Sequence, residues 1–179
     1  MLTDGALRML VLLHFHTIGF TPIQLSYLFL LYEFAGIITN LYAGWIAKKI
    51  GLSITLYAGL ILQIISLLAL SKLDQNWSAL FSLIFVMVFQ GLSGIAKDLT
   101  KMSSKSSVKL LAPSNDNKLF KWVTVLTGSK NTIKGLGFFV GGLLLIFLGY
   151  ENSLEIMCLF LILIFIFSVK LMPKKLGQM

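Results

Sequence analysis

The chain has 179 residues, of which 57% are hydrophobic and 12% charged, with a formal net charge of +8 and a mean hydropathy of +0.89. Soluble domains carry about 25% charged residues, so the composition excludes an ordinary soluble domain, and the apolar surplus falls into separate blocks near the ~20 residues that cross a bilayer. The blocks are continuous rather than alternating, which argues against a β-barrel. The basic residues cluster as loops on one side of a membrane do, not as a nucleic-acid surface does. The fold class expected is therefore all-α, a polytopic membrane protein.

The first block, residues 6–20, is short for a span and has Asp4 and Arg8 at its start. No basic n-region or small-x-small site precedes it, so it is expected to direct insertion itself. Gly19 to Pro22 reads as an exit turn, with Pro22 placed for a helix start. The second block, 22–46, ends at Lys48, Lys49 and Gly51, and the third, 52–70, closes at Lys72, Asp74 and Asn76. The fourth, 77–98, starts at the interfacial anchor Trp77 and continues into lysines. Pro113 to Asn117 is the clearest loop. The fifth, 119–148, has a polar middle, and the sixth, 153–169, is apolar. Cys158 within it cannot form an intrachain disulfide, being the one cysteine, and reads as a small packing residue. Six transmembrane helices in a single bundle are expected.

Connections carrying Lys48 and Lys49, then Lys109, Lys118 and Lys121, then Lys170, Lys174 and Lys175 alternate with neutral or acidic ones. The positive-inside rule places the basic set and both termini in the cytoplasm, in the cell (inner) membrane.

Several constellations bear on chemistry. Asp4 and Arg8 are four apart on the first helix: a functional pair, in which the only arginine grips an oxyanion, or a structural ion pair. Glu33 lies about eleven residues into the second block, near mid-membrane, with Asn40 two turns on. It reads as a functional group, for proton coupling or as the partner of a basic residue on another helix, or else as one member of a buried structural pair. His14 and His16 point to different sides of a helix, so no metal site is expected. No nucleophile–base pair, phosphate loop or cofactor motif is present, and an enzyme is not expected.

Lys97, Lys101, Lys105 and Lys109 recur every four residues and share one broad face. Lys97 lies about 20 residues beyond Trp77, roughly 30 Å, at the inner interface. Lys97 and Lys101 are therefore candidates for a cavity mouth, while Lys105 and Lys109 read as ordinary positive-inside charge. Asp98 is placed to pair with Lys101. On the fifth helix Lys130 and Lys134 flank Gly128, Gly135, Gly142 and Gly149, a seven-residue stripe expected to admit a neighbouring helix. With Lys97 and Lys101 they suggest a cationic cavity between the fourth and fifth helices.

Gly44-Trp-Ile-Ala-Lys-Lys-Ile-Gly51 resembles the G-x-L-A-D-x-x-G loop of major facilitator superfamily transporters, with Lys48 in place of the aspartate. Gln90-Gly91 and Gly94 resemble the end of that superfamily's R-x-x-Q-G pattern, with Met87 in place of the arginine. The strings LTDGALRMLVLLHFH, FLLYEFAGIITNLYAGW, QGLSGIAKDLTKMSSKSSVKLL and VTVLTGSKNTIKGLGFFVGG are similar to the organoarsenical efflux permeases of arsenic-resistance operons. The resemblance implies the N-terminal half of a major facilitator fold that exports 1-arseno-3-phosphoglycerate. The alternatives are an exporter of another organic anion or drug, and a non-transporting truncated membrane protein. A small, multiply anionic substrate would suit Arg8, Lys97, Lys101, Lys130 and Lys134, with Glu33 and Asp4 as coupling groups. Such permeases have about twelve helices, so the chain is expected to be a fragment lacking the start of helix one and the second half. Its partners would be the lipid bilayer, that substrate, and a separately encoded second half or a second copy.

Overall fold

In the computed structural model, residues 1–74, 76–111 and 116–171 are described. The expected loop around Pro113 and the tail lysines Lys174 and Lys175 lie largely or wholly outside them, as do the side chains of Lys109 and Lys118. Five helices follow one another: α1 (Leu2–Thr17), α2 (Pro22–Ile50), α3 (Leu52–Ser71), α4 (Ala79–Leu111) and α5 (Asp116–Leu171). No strand occurs among the described residues. Four stretches are long and apolar enough to cross a membrane: 22–50, 52–71, 79–107 and 120–171. The chain thus has the make-up of a helical multi-pass membrane protein. At 1.5 Å per residue α1 reaches only roughly 24 Å, short of the ~30 Å hydrocarbon layer.

Local chemistry sets the boundaries. Gly19, with φ of 96°, turns the chain out of α1. Thr21 caps α2, its hydroxyl accepting from the Gln24 amide while the Gln24 side chain accepts from the Thr21 amide, and Pro22 follows. Gly51, with φ of 92°, alone separates α2 from α3. This left-handed conformation is open to glycine at little cost.

The helices run beyond the spans read from sequence, because charge and polarity end an apolar block without ending a helix. α2 continues through Lys48 and Lys49, and α4 continues through Lys101 and Lys105. The largest difference is in α5. No loop separates its two apolar blocks; the helix breaks at Gly149 alone, where φ is 75° and ψ −178°. The Ser153 hydroxyl donates back to the Gly149 carbonyl, and Asn152 Nδ2 donates to the Leu148 carbonyl at 3.0 Å. We call residues 116–148 the N-terminal arm and 150–171 the C-terminal arm. The N-terminal arm runs alongside α1 in the same direction, from Gly5 against Gly137 to Leu13 against Gly142, and just beyond the break His14 stacks on Tyr150 at 4.1 Å. The C-terminal arm runs opposite to α3: Lys72 pairs with Glu151 and Glu155, and the Tyr57 hydroxyl donates to the Ser168 carbonyl at the far end. α1 and α3 run the same way, their C-terminal ends meeting around His14, Phe15, Leu73 and Asp74, so the arms are antiparallel.

α1 packs on α5, and α4 packs between α2 and α3. The core gathers Leu7, Leu10, Val11 and Phe15 of α1, Leu28 of α2, Leu67 of α3, Val86 of α4, and Leu154, Met157 and Cys158 of the C-terminal arm. Cys158 is a packing residue there. Apolar side chains on the outer faces of α2 and the N-terminal arm, among them Leu41, Trp45, Phe139 and Phe147, remain exposed.

The seven-residue glycine stripe is not the packing face within this chain. A Cβ at Gly128 or Gly135 would meet open space, Gly142 only grazes Leu13, and Gly149 is the break. The close approach instead uses Gly137 and Gly141, four apart. A Cβ on either would collide with the α1 backbone, at the Leu2 carbonyl and at the Ala6 carbonyl. A four-residue repeat holds small residues on one side of a straight helix and lets backbones meet; α1 supplies the matching small pair, Gly5 and Ala6.

Gly141→Leu should therefore push α1 from α5 and cost about 1–3 kcal/mol or more, the usual penalty of overpacking. Gly135→Ala, facing open space, should cost nothing measurable. Thermal unfolding in detergent distinguishes the two.

Candidate functional site

Tyr32 of α2 is fully buried and organises the charged residues of the bundle's interior. It can do so because α2 and α4 lie close: a Cβ on Gly94 would stand 2.7 Å from the Tyr32 carbonyl oxygen, and one on Gly91 3.1 Å from Leu31. The Tyr32 hydroxyl donates to Asp4 Oδ1. Its ring lies 4.1 Å from the Arg8 guanidinium carbon and 4.2 Å from the Lys97 ammonium, both within cation–π range. Arg8 in turn pairs with Glu33. Three helices thus bring Asp4, Arg8, Glu33 and Lys97 to one aromatic ring.

The structure shows how the side chains of two constellations read from sequence are paired. Asp4 and Arg8 are not partners of each other; each is bonded to α2, Asp4 through Tyr32 and Arg8 through Glu33. Glu33 has the partner from another helix that its place in the span calls for. The two carboxylates differ in setting: Asp4 is 4% exposed, whereas the Glu33 side chain is 60% exposed.

Next to Lys97 on α4, Asp98 is buried and fully partnered. Lys101 donates to its Oδ1 at 3.2 Å, and Asn40 Nδ2 to its Oδ2 at 3.2 Å. The Lys101 ammonium also reaches Asn40 Oδ1 at 3.5 Å. The Asp98–Lys101 pair expected from spacing is present, and Asn40 ties it to α2.

Between α4 and the N-terminal arm lies a cleft of about 230 Å³ whose wall carries Lys101, Lys105 and Lys130. Thr100, Ser104, Thr127 and Ser129 add hydroxyls. The hydroxyls of Thr100, Ser104 and Ser129 already donate to backbone carbonyls of their own helices, so the lysines are the principal donors. Among the described residues neither Lys105 nor Lys130 has a carboxylate partner.

This is the cationic cavity expected between the fourth and fifth helices, with a different membership. Lys105, read from sequence as ordinary solvated charge, lines it, because α4 stays helical and in contact one turn beyond Lys101. Lys97 turns away to Tyr32. Lys134 does not line it either: its ammonium lies 5.8 Å from the Phe138 ring, and its carbonyl abuts Gly5. Tyr32 was not distinguishable in sequence from any aromatic core residue. Among the described residues no group of three or more His, Cys, Asp or Glu converges to hold a metal.

Replacing Tyr32 by Phe keeps the ring beneath both cations but strips Asp4 of its hydroxyl donor. The expected cost is about 1–3 kcal/mol, that of leaving a buried acceptor unpaired. Tyr32→Leu, which also removes the cation–π contacts, should cost more; chemical unfolding in detergent micelles orders the three proteins.

No protein-family profile and no curated protein matches the chain.

Proposed function

We propose that the chain forms the six-helix N-terminal half of a major facilitator superfamily permease that exports 1-arseno-3-phosphoglycerate. In this reading α1 to α4 and the two arms of α5 are the six spans, and α5 turns back at Gly149. The observation that carries it is the α4–α5 cleft, where Lys101, Lys105 and Lys130 converge and two of the three have no carboxylate partner among the described residues. Lysines so arranged attract a small, multiply charged anion, each acting as a mobile point charge.

The charge distribution supports an orientation. Lys48, Lys49, Lys101, Lys105 and Lys130 lie toward the end where α3 begins; this is seen in the Ser103 hydroxyl donating to the Leu52 carbonyl at 2.6 Å. Lys72, Asp74, Glu151 and Glu155 lie at the other end. The basic end faces the cytoplasm by the positive-inside rule, so the cleft opens where an exported anion is taken up, in the inner membrane with both termini cytoplasmic. Arg8, Lys97 and Lys134 add positive charge deeper on the α1 side, and Glu33 and Asp4 are the coupling carboxylates. In such transporters the substrate passes between two halves; the second would be a separately encoded half or another copy.

The test uses everted membrane vesicles in which glyceraldehyde-3-phosphate dehydrogenase, its substrate, NAD and arsenate generate the arsenical outside. Vesicles carrying the protein should accumulate arsenic dependent on the dehydrogenase. Lys101→Gln with Lys130→Gln should lower that uptake at least tenfold, and Lys49→Gln, whose ammonium sits 5.0 Å from the Trp45 ring away from the cleft, should not. Uptake untouched by the double substitution would sink the site. Uptake of 3-phosphoglycerate with none of the arsenical carried would favour an exporter of other organic anions, and uptake of hydrophobic cations alone would favour a drug exporter.

A further inference from the structure

The three lysines of the cleft are not equivalent. Lys105 and Lys130 have no carboxylate partner among the described residues, whereas Lys101 donates to Asp98 Oδ1 at 3.2 Å. Asp98 is 1% exposed and pairs with no other cation among the described residues. Its second oxygen accepts from Asn40 Nδ2 on α2, and Asn40 Oδ1 accepts from the Lys101 ammonium at 3.5 Å. α2 comes close enough for this at Gly36, where a Cβ would stand 3.0 Å from Asp98 Oδ2. Lys97, the neighbour of Asp98 in the chain, is engaged elsewhere. Its ammonium lies over the Tyr32 ring, and it lines a second cavity, of about 240 Å³, on the other side of Met1 and Thr100 from the cleft.

Lys101 therefore belongs to two places at once: it neutralises a buried carboxylate and stands in the wall of the cleft. A buried carboxylate left without its cation is strongly unfavourable. A lysine ammonium is a compact charge on a flexible four-carbon stem. The Lys101 side chain is 24% exposed, so its ammonium can leave Asp98 for the cleft while the helix stays in place. Lys105 and Lys130 present their charge to the cleft whatever it holds; Lys101 is shared.

We propose that Asp98 is a resident counter-anion of the cleft, which competes with a bound anion for Lys101 while Asn40 holds it in place. With the cleft empty, Lys101 neutralises Asp98. A phosphate-bearing anion draws the ammonium into the cleft, and Asp98 keeps only the Asn40 bond. The penalty of leaving that carboxylate without its cation weakens anion binding, and it returns Lys101 to Asp98 as the anion departs. A cluster of three lysines thereby releases what it binds. Asp98 touches no ligand in this scheme and acts through Lys101. The inference rests on the cleft being an anion site, as in the proposed function; it does not depend on the anion being an arsenical or on its being exported.

Binding measured without transport tests it, by titration calorimetry of the detergent-purified protein with glycerol 3-phosphate, a dianion with no carboxylate of its own. Asp98→Asn keeps the shape and removes the charge, and should tighten binding about tenfold, the order expected of one charge close to the site. Made on top of Lys101→Gln, the same substitution should gain less than about threefold, because a residue that acts through another loses its effect with it. Infrared difference spectra on adding glycerol 3-phosphate give a second readout. The wild type should show a carboxylate stretch that shifts as the ammonium leaves; Asp98→Asn should lose that shift and Glu33→Gln keep it. This readout decides the matter if Lys101→Gln, which leaves Asp98 without its cation, fails to fold. Weaker or unchanged binding in Asp98→Asn, a full gain without Lys101, an unmoved carboxylate band, or no binding to either protein overturns the proposal. The expected binding pattern in a protein that exports no arsenical refutes the transport reading and leaves this inference standing. Arsenical export with binding indifferent to Asp98 does the reverse.

Discussion

Charge placed within an apolar helix bundle must find its complement there, and in this protein that complement is arranged around Tyr32. Two cations share its ring, one carboxylate takes its hydroxyl, and the other carboxylate neutralises Arg8. Each partner comes from a different helix than the group it satisfies, so the charges lock α1, α2 and α4 in register. An unpartnered charge in such surroundings costs several kcal/mol, which makes this arrangement a condition of the fold and not an ornament on it.

The arrangement is possible only because backbones approach closely. Glycine at 94 lets α4 pass the Tyr32 carbonyl, and glycines at 137 and 141 let α5 meet α1. Apolar side chains give little net attraction between helices in lipid, where the tails are as apolar as leucine, so small residues and interhelical hydrogen bonds carry the association. Here the two devices alternate across the bundle. Small residues join α1 to the N-terminal arm; α2 and α4 use glycines together with the Asn40–Asp98 bond; and α3 joins α4 through Gln63–Ser93 and Ser103–Leu52.

Polar groups consequently fall into two populations. In the interior, Asp4 Oδ2 and atoms of the Gln63 and Gln90 amides lack a protein partner among the described residues, but the charged groups around Tyr32 are compensated. Those of the α4–α5 cleft are largely not: Lys101 has Asp98, but Lys105 and Lys130 stand without acidic partners among the described residues. An uncompensated concave cluster is the more informative feature for function, because among the described residues it has no counter-charge for Lys105 and Lys130, and solvent ions or a ligand can supply one. The compensated cluster lies on the far side of Met1 and Thr100, which border both cavities.

Much of this was legible in the amino-acid order, and the boundary of legibility has a physical cause. Composition and block length determined a helical membrane protein, because hydrocarbon admits only long apolar segments whose backbone bonds are internal. Local rules also placed the helix start at Pro22 and the chain turns at Gly19 and Gly51, since backbone preferences depend on neighbours in the chain. Spacing of four placed Lys101 with Asp98 for the same reason. Partners drawn from distant helices were not determined that way. Asp4 and Arg8 looked like a pair and are not; a seven-residue stripe of glycines looked like the contact face, and Gly137 with Gly141 is. Lys105 and Lys97 exchanged roles because the rotation of α4 against α2 and α5 decides which lysine faces the cleft and which faces Tyr32. Helix rotation and register are properties of packing between helices, and only the tertiary structure decided them.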